Sequence, residues 1–475
     1  MQDRITIRKG LDLPISGAAE KRVTDARNIA TYAVKPTDFV GLTPHLLVKE
    51  GEAVSVGDPL FCDKKEERIR FTSPISGRVK AIVRGEKRRL EAVVVEEAEP
   101  SSKKTVFDLP HTADELKALM LQCGLWTMLR QRPFGIVAHP DDKPKAIFVS
   151  AFSTAPLAPD YDFVMQGREK WLLKGLEALT LLTDGPVHVC FRPNQALSKQ
   201  LSTFHFPLST HLVKGPHPAG NVGTQIAHID PINKGEVVWT MNLQDVAVLG
   251  ELVATGVYNP EKVIAVAGPH CKNAHYYRVK TGACLSEITQ AQQLNSDYPK
   301  MENPDATQES RIISGGILSG TKIDNNGFLG AYDDLVSILP EGNHYEFMGW
   351  LMPGLKKYSF SRTFLSGFLP KSTFRPMGFT LPRFKRFWTF DTNTHGEERP
   401  LVFTGNFERV FPFDIYPNQL LKACIVGDIE LMENLGIYEV EPEDFALCEF
   451  IDTSKTDIQS IVRTALESIR KEEEA

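Results

Sequence analysis

Apolar and polar positions alternate in short runs between residues 42 and 95. Val48 to Phe61 is broken by Gly51, Gly57, Asp58 and Pro59, and Phe71 to Val95 by Pro74, Gly77 and Gly85. A period of two with Gly, Asp and Pro punctuation predicts short strands joined by hairpins, closing into a flattened barrel rather than any helical unit. The two runs are one half-motif written twice: Gly41-Leu42-Thr43-Pro44 leads into the first, and Phe71-Thr72-Ser73-Pro74 opens the second.

Past residue 112 the period changes. Leu116, Leu119, Met120, Cys123, Leu125, Trp126 and Leu129 recur at helical spacing behind Thr112, a candidate N-cap, and Arg130-Gln131-Arg132-Pro133 ends that helix. A buried-type strand follows at 145–151, a long amphipathic helix at 163–182, a strand at 187–190, a helix at 243–252 and a strand at 263–267. Strand and helix in alternation predict an open α/β domain with parallel strands. Residues 279–288 read as a hairpin and a helix start, and the polar run 290–300 as surface. The last hundred residues turn helical, with segments at 418–426, 428–435 and 458–469, the last beginning near Asp457.

The doubled half-motif resembles the biotinyl/lipoyl carrier fold. Its central hairpin reads Cys62-Asp63-Lys64-Lys65-Glu66-Glu67-Arg68, and Asp63-Lys64 matches the Asp-Lys pair of lipoyl carriers. The charged residues that follow do not fit a modified hairpin. An ordinary solvated turn is favoured, with a lysine carrying biotin or lipoate as the alternative.

Composition narrows the function classes. At 42% apolar and 24% charged residues with a formal net charge of −6, the chain has no whole-protein affinity for nucleic acid to offer. No run approaches the ~18 continuous apolar residues of a spanning helix. Met1-Gln2-Asp3-Arg4-Ile5-Thr6 opens without an apolar signal core, so a cytoplasmic location with any membrane role peripheral is expected. Seven cysteines are scattered, the nearest two 13 residues apart, without the clustering that zinc or iron–sulfur ligation requires. They are expected to be reduced thiols, most of them buried.

Three further stretches draw notice. Residues 347–390 hold no acid and eight bases, Lys356, Lys357, Arg362, Lys371, Arg375, Arg383, Lys385 and Arg386, interleaved with aromatics such as Phe360, Phe364, Phe374, Phe384 and Trp388. In an acidic chain such a segment suits anionic lipid headgroups or a partner protein at a membrane surface, with a solvated basic hairpin as the bland alternative. Arg311-Ile312-Ile313-Ser314-Gly315-Gly316-Ile317-Leu318-Ser319-Gly320 is a glycine-rich strand and turn lacking the Gly-Lys-Ser/Thr ending of a phosphate loop. Asp333-Asp334 and Glu397-Glu398 read as surface turns, and no nucleophile–base pair, carboxylate pair or metal constellation stands out, so the expected catalytic and metal residues are none.

Several segments, taken in order, are similar to one family over nearly the whole chain. They are Lys9-Gly10-Leu11-Asp12-Leu13-Pro14-Ile15-Ser16-Gly17, Arg84-Gly85-Glu86-Lys87-Arg88, Gly124-Leu125-Trp126-Thr127 with Arg132-Pro133-Phe134, and Gly215-Pro216-His217-Pro218-Ala219-Gly220. Further on come Leu285-Ser286-Glu287, Arg311 to Gly315, Arg362-Thr363-Phe364-Leu365 and Gly405-Asn406-Phe407-Glu408-Arg409-Val410. The chain resembles the alpha subunits of the bacterial sodium-translocating NADH:quinone reductases, a family related to the C subunit of the Rnf complex and to the NADH-oxidising subunit of respiratory complex I.

The resemblance implies an α/β multidomain chain: N-terminal strands and a barrel-sandwich hybrid (1–100), an open α/β Rossmann-like domain (101–257), a small β-grasp-like domain (258–330), a basic-aromatic docking segment (331–395) and a C-terminal helical domain (396–475). It implies a location on the cytoplasmic face of the bacterial inner membrane, with the chain soluble when expressed alone. Its expected partners are the other subunits, chiefly the membrane-embedded B component, and quinone such as ubiquinone, with no nucleic acid. No cofactor is expected in this chain, flavins and iron–sulfur centres being carried by other subunits. Flavin or NADH binding, as in the relatives, is the alternative. A quinone slot needs aromatic walls and one or two donors for the carbonyl oxygens. The candidates are Trp126, Arg130, Arg132, Phe134 and His217, the last as a proton donor titrating near neutrality. Core packing and a rigid turn are the structural readings of Trp126 and His217. Membrane-docking candidates are Lys356, Lys357, Arg362, Phe364, Arg383 and Arg386.

Overall fold

The computed structural model describes residues 3–26, 29–98, 106–201, 208–292, 309–343, 348–349, 351–354, 357–361, 364 and 387–474. The alternating stretch forms two facing sheets. One runs Thr31–Val34, Leu90–Glu97, Gly77–Arg84, Ala53–Val54, and the other Pro44–Leu46, Pro59–Asp63, Arg70–Thr72. The period of two sends Phe61, Phe71, Val79, Val93 and Val95 inward, all but excluded from solvent, and a register shift between Pro59 and Phe61 accompanies the burial of Leu60 as well, while Arg78 and Lys80 stay outside. Phe61 stacks on Phe71 with ring centroids 4.8 Å apart, and Phe39 meets Phe71 edge-on at 4.5 Å. The Asp63–Arg68 hairpin is not a free tip. Lys65 Nζ lies 2.6 Å from Glu474 Oε2 just beyond the last helix, and Arg68 bridges Glu66 and Asp141.

Residues before the sandwich are shared out to other sheets, a difference from the expected 1–100 unit. Asp3–Thr6 runs parallel to Leu208–Lys214, and Glu20–Asp25 runs parallel to His275–Lys280. Each of these N-terminal strands forms an edge of its sheet, contributed from far away in sequence.

The α/β domain is a seven-stranded sheet in the order Asp3–Thr6, Leu208–Lys214, Val187–Phe191, Ala146–Ser150, Val238–Thr240, Arg130–Arg132, Ile136–Val137. The first five strands are parallel, and the last two form an antiparallel edge hairpin. Helices Glu169–Leu179 and Leu243–Thr255 cover one face, and Val222–Ile229 packs on the other with Ala146, Phe148 and Val238. The two long helices touch through glycine: a Cβ on Gly175 would lie 1.9 Å from Val246 O, and one on Gly250 1.7 Å from Trp171 O. Helix Ala113–Cys123 is capped by Thr112, whose side chain accepts from Glu115 N at 3.2 Å. It stops earlier than the apolar period predicts because Gly124 takes a left-handed φ of 84°. The expected helix 163–182 is likewise split into Tyr161–Val164 and Glu169–Leu179, with Gly167 at φ 80° in the break.

A six-stranded mixed sheet follows, in the order Thr321–Ile323, Ser310–Ser314, Leu335–Pro340, Glu261–Ala267, His275–Lys280, Glu20–Asp25. It reaches past the expected boundary at 330, because Leu335–Pro340 is a wholly buried strand in its middle. The polar run expected at the surface falls mostly outside the described residues. Helices Phe407–Val410, Pro417–Val426, Ile429–Asn434, Ala446–Ile451 and Ile458–Glu473 then enclose a separate core of Phe411, Phe413, Leu420, Phe445, Val462 and Leu466. Asp457 caps the last helix, accepting from Ser460 N at 3.2 Å.

Candidate functional site

In an open parallel sheet, the strands' carboxyl ends form a crevice where loops diverge and ligands bind. Here Ala146–Ser150 and Val238–Thr240 end at a cleft of about 410 Å³. Its walls come from every part of the chain. The α/β domain supplies Arg130, Phe152, Tyr161, His217 and the turn Met241–Leu243, and the mixed sheet gives Gly315–Ser319 and Tyr332–Leu335. The sandwich end contributes Asp38 and Val40, and the helical domain Glu441–Glu443, Gln459 and Arg463. Apolar surfaces of Phe152, Met241, Ile317 and Leu335 alternate there with tyrosines and carboxylates.

Arg130, expected from sequence as a quinone donor, lines this cleft. Its guanidinium lies 5.2 Å above the Tyr332 ring centroid and 2.9 Å from Glu441 Oε2. Burial works against its charge, but Glu441 and Glu443 hold its pKa above the ordinary arginine value. Arg132, the next residue but one on the strand, is not among the cleft's lining. Its buried guanidinium meets Glu441 at 3.3 Å, Glu443 at 2.7 Å and Asp444 at 3.1 Å. These carboxylates sit at the start of the 3₁₀ turn Pro442–Phe445, so strand Arg130–Arg132 clamps the helical domain onto the α/β sheet. Burial drives the Asp444 carboxyl upward while the neighbouring arginines hold Glu441 down. A Cβ on Gly223 would lie 2.4 Å from Arg132 Nη1, so the clamp leaves no room there for a side chain.

His217 also reaches the cleft, almost wholly buried, with Nδ1 3.2 Å from Thr154 Oγ1 and its backbone N–H donating to Asp12 Oδ1 at 2.9 Å. Burial lowers its pKa to about 4, so it is a neutral imidazole at neutral pH and does not titrate there as its residue type led one to expect. The other two candidates lie elsewhere. Trp126 is in the core, its Nε1 donating to Ala138 O at 2.7 Å and its ring edge-on to Trp239. Phe134 packs against Tyr438 in the helical domain, while its carbonyl accepts from Arg463 at 2.6 Å.

Several cleft groups carry no signal in sequence. Tyr161 donates its hydroxyl to Asp334, whose pKa burial pushes up to about 6. Asp333 accepts from Ser314 Oγ at 2.6 Å, and Asp38 is held by Lys35 at 3.1 Å and by Ala331 N at 2.9 Å. The expected surface turn at Asp333-Asp334 is not what the structure shows: Asp333 closes the turn that begins at Gly330, Asp334 follows it, and both face the cleft rather than open solvent because they lead into a buried strand. Only the dipeptide itself could have flagged it.

Among the docking candidates, Lys357 and Phe364 are described, with Lys357 Nζ 5.2 Å from the Phe364 ring centroid. Lys356, Arg362, Arg383 and Arg386 lie outside the described residues. Leu351, Met352 and Phe387, from the same stretch, are exposed. Among the described residues, the one grouping with metal-ligand spacing is Glu66, His139 and Asp141. The Arg68 guanidinium already lies 2.7 Å from Glu66 and 2.5 Å from Asp141, supplying the positive charge itself. All seven cysteines are free, and five are buried. None of the helices among the described residues is long and apolar enough to cross a membrane.

Comparison with known proteins gives matches along the chain. Family models described as "NqrA N-terminal barrel-sandwich hybrid domain", "NqrA second alpha/beta domain" and "NQRA C-terminal domain" match residues 5–98, 111–258 and 263–301. The Na(+)-translocating NADH-quinone reductase component A (NqrA) of Yersinia pseudotuberculosis is 38% identical over 98% of this chain and 100% of its own length. The proteins of the same name from Rhodopirellula baltica and Neisseria meningitidis are 36% and 37% identical, covering 98% of this chain and 98% and 100% of their own lengths. A solved NAD+-reducing [NiFe]-hydrogenase aligns with 48% of this chain and 47% of its own at 12% identity and a TM-score of 0.34, too distant to bear on function.

Proposed function

The chain belongs to the NqrA family of Na(+)-translocating NADH-quinone reductase subunits, and we propose that it is the peripheral, cofactor-free component that docks on the membrane subunits of that complex, chiefly the B component, and forms or caps its quinone site. In this reading the chain lies at the cytoplasmic face of the bacterial inner membrane, and the complex oxidises NADH, reduces a quinone such as ubiquinone and exports sodium. Flavins and iron–sulfur centres belong to other subunits. The contribution of this chain is a binding surface, with docking through the basic-aromatic stretch.

One observation carries the reading: Arg130 and His217, far apart in sequence, meet in a single cleft beside Phe152, Tyr161 and Tyr332. A quinone head is flat and uncharged, so it needs ring faces and a few hydrogen-bond donors rather than a counter-ion. Arg130 and Tyr161 are donors, and the aromatic side chains offer walls. A nucleotide in the same crevice is the second reading, since open α/β sheets bind nucleotides there. It is disfavoured because Asp38, Asp333, Asp334, Glu441 and Glu443 line the cleft, so although helices Val222–Ile229 and Leu243–Thr255 begin there, a phosphate would meet more carboxylate charge than Arg130 and Arg463 balance.

The test is photolabelling of the assembled complex with a photoreactive ubiquinone analogue. Label on peptides spanning 151–161, 315–319 or 332–335, competed by ubiquinone, is the expected result. Label confined to the other subunits overturns it.

A further inference from the structure

Resting on the reading of the cleft as a quinone site, we propose that Tyr161 gives a proton to the bound quinone and that Asp334 positions and reloads it. Tyr161 opens the short helix Tyr161–Val164 beyond the parallel sheet, and Asp334 immediately precedes strand Leu335–Pro340 of the mixed sheet. The two reach the cleft from different sheets, both partly exposed to it, and the tyrosine hydroxyl donates to Asp334 Oδ2.

The surroundings fit a group that holds and releases a proton. Asp334 is faced by Tyr161, by Lys262 from strand Glu261–Ala267, by Asp245 from helix Leu243–Thr255 and by its neighbour Asp333. Lys262 is already taken, lying 3.1 Å from Asp245 and donating to Ala331 O at 2.8 Å. Asp333 is held by the Ser314 hydroxyl. The nearest cation is therefore engaged elsewhere, and burial brings the proton affinity of Asp334 into the neutral range, with a pKa of about 6. A buried carboxyl with such an affinity is matched to proton transfer near neutrality. His217, the residue type first expected in this role, is held neutral by burial.

The chemistry balances without any further reagent. The complex delivers two electrons from NADH to the quinone. Burial and the Asp334 charge hold the Tyr161 phenol well above its ordinary range, so the step starts with Asp334 protonated. The Asp334 hydroxyl then donates to the Tyr161 oxygen, the Tyr161 proton turns from Asp334 to the reduced, basic quinone oxygen, and the tyrosine O–H bond breaks as the quinol O–H bond forms. The resulting phenolate takes the Asp334 carboxyl proton, and the carboxylate is reloaded from cleft water. The second quinone oxygen is protonated by water.

A purely structural alternative is that the pair only ties the two sheets together, and the test separates the two. In the assembled complex, Y161F should lower kcat for ubiquinone-1 on the order of 100-fold, with KM changed no more than about twofold. In D334N the fall in rate as pH rises through about 6 should vanish, and D334E should restore it. Unchanged rates and an unchanged pH limb in both variants, or a loss confined to KM, overturn the proposal. Should D334N fail to assemble, Y161F decides alone, since it keeps the ring and removes one oxygen. Ubiquinone-1 must also compete with photolabelling of the cleft in the unaltered complex. If it does not, the cleft reading fails and the proton role with it; if it does and the variants behave as wild type, only the proton role fails.

Discussion

Arg132→Met should release the helical domain from the α/β sheet. The substitution keeps much of the length of the side chain and removes its charge. Arg132 is buried against Glu441, Glu443 and Asp444 at 3.3, 2.7 and 3.1 Å, and Glu441 and Asp444 are themselves only 2% exposed. Their mutual attraction offsets the desolvation of the whole group. Removing one partner leaves charge buried without compensation, which destabilises by about 3–5 kcal/mol. A domain of roughly 80 residues loses ~4–8 °C of Tm per kcal/mol, so its transition should fall by more than ~10 °C. Calorimetry of the full chain should show the transition of the helical domain splitting away, and a glutamate-specific protease should cut sooner after Glu397 or Glu398 in the exposed stretch 394–400. Neutralising the acids as well, with Glu441→Gln and Asp444→Asn, should recover most of the loss, because neutral groups tolerate burial without a partner charge. Glu441 has a depressed folded pKa, so its contribution is present above its unfolded pKa and is lost as pH falls through the folded one. The penalty of Arg132→Met should therefore shrink in acid. A loss under ~1 kcal/mol at pH 7 would falsify the clamp.

Three further outcomes are expected. Asp334 has its pKa raised to about 6, so in the folded state it binds a proton more tightly than unfolded, and its destabilising contribution grows as pH rises from the unfolded value through about 6; D334N should raise Tm at pH 8 more than at pH 4.5, and an equal shift at both would contradict this. Gly250→Leu should destabilise by at least ~1–3 kcal/mol, because its Cβ already meets Trp171 O at 1.7 Å, and denaturant unfolding unchanged from wild type would contradict the helix contact. The purified chain should be colourless, metal-free and of unmodified mass, whereas stoichiometric flavin or iron, or a biotin or lipoate increment on Lys64 or Lys65, would be seen by absorbance and intact mass.

Much of the fold was legible because its signals are local. The period of two marked the sandwich, the buried runs at 145–151 and 187–190 are the strands Ala146–Ser150 and Val187–Phe191, and Thr112 and Asp457 cap the helices expected behind them. The errors came where one residue overrode a periodic pattern, as Gly124 and Gly167 do, or where pairing partners lie roughly 200 residues apart, as Asp3–Thr6 and Leu208–Lys214 do. No window on the sequence contains that second kind of information. The same reason limited the site. Arg130 and His217 were chosen for residue type and do line the cleft, yet Trp126 sits at core spacing and is core, and Phe134 is drawn into the helical domain. Tyr161 and Glu441 are unremarkable in sequence, Asp334 stands out only as half of an acidic dipeptide, and all three acquire meaning only when the sheets and the helical domain converge on one crevice.

The most direct measurement is a structure of the assembled complex with ubiquinone or a quinone-site inhibitor bound. The quinone head should lie in the cleft between Arg130 and Tyr161, with residues 347–390 against the membrane subunits. Reversing Lys356, Lys357, Arg362, Arg383 and Arg386 to Glu should then block copurification, each base near such a surface contributing on the order of 1 kcal/mol. A head group enclosed wholly by other subunits, with this cleft turned away from it, would mean that this chain neither forms nor caps the quinone site.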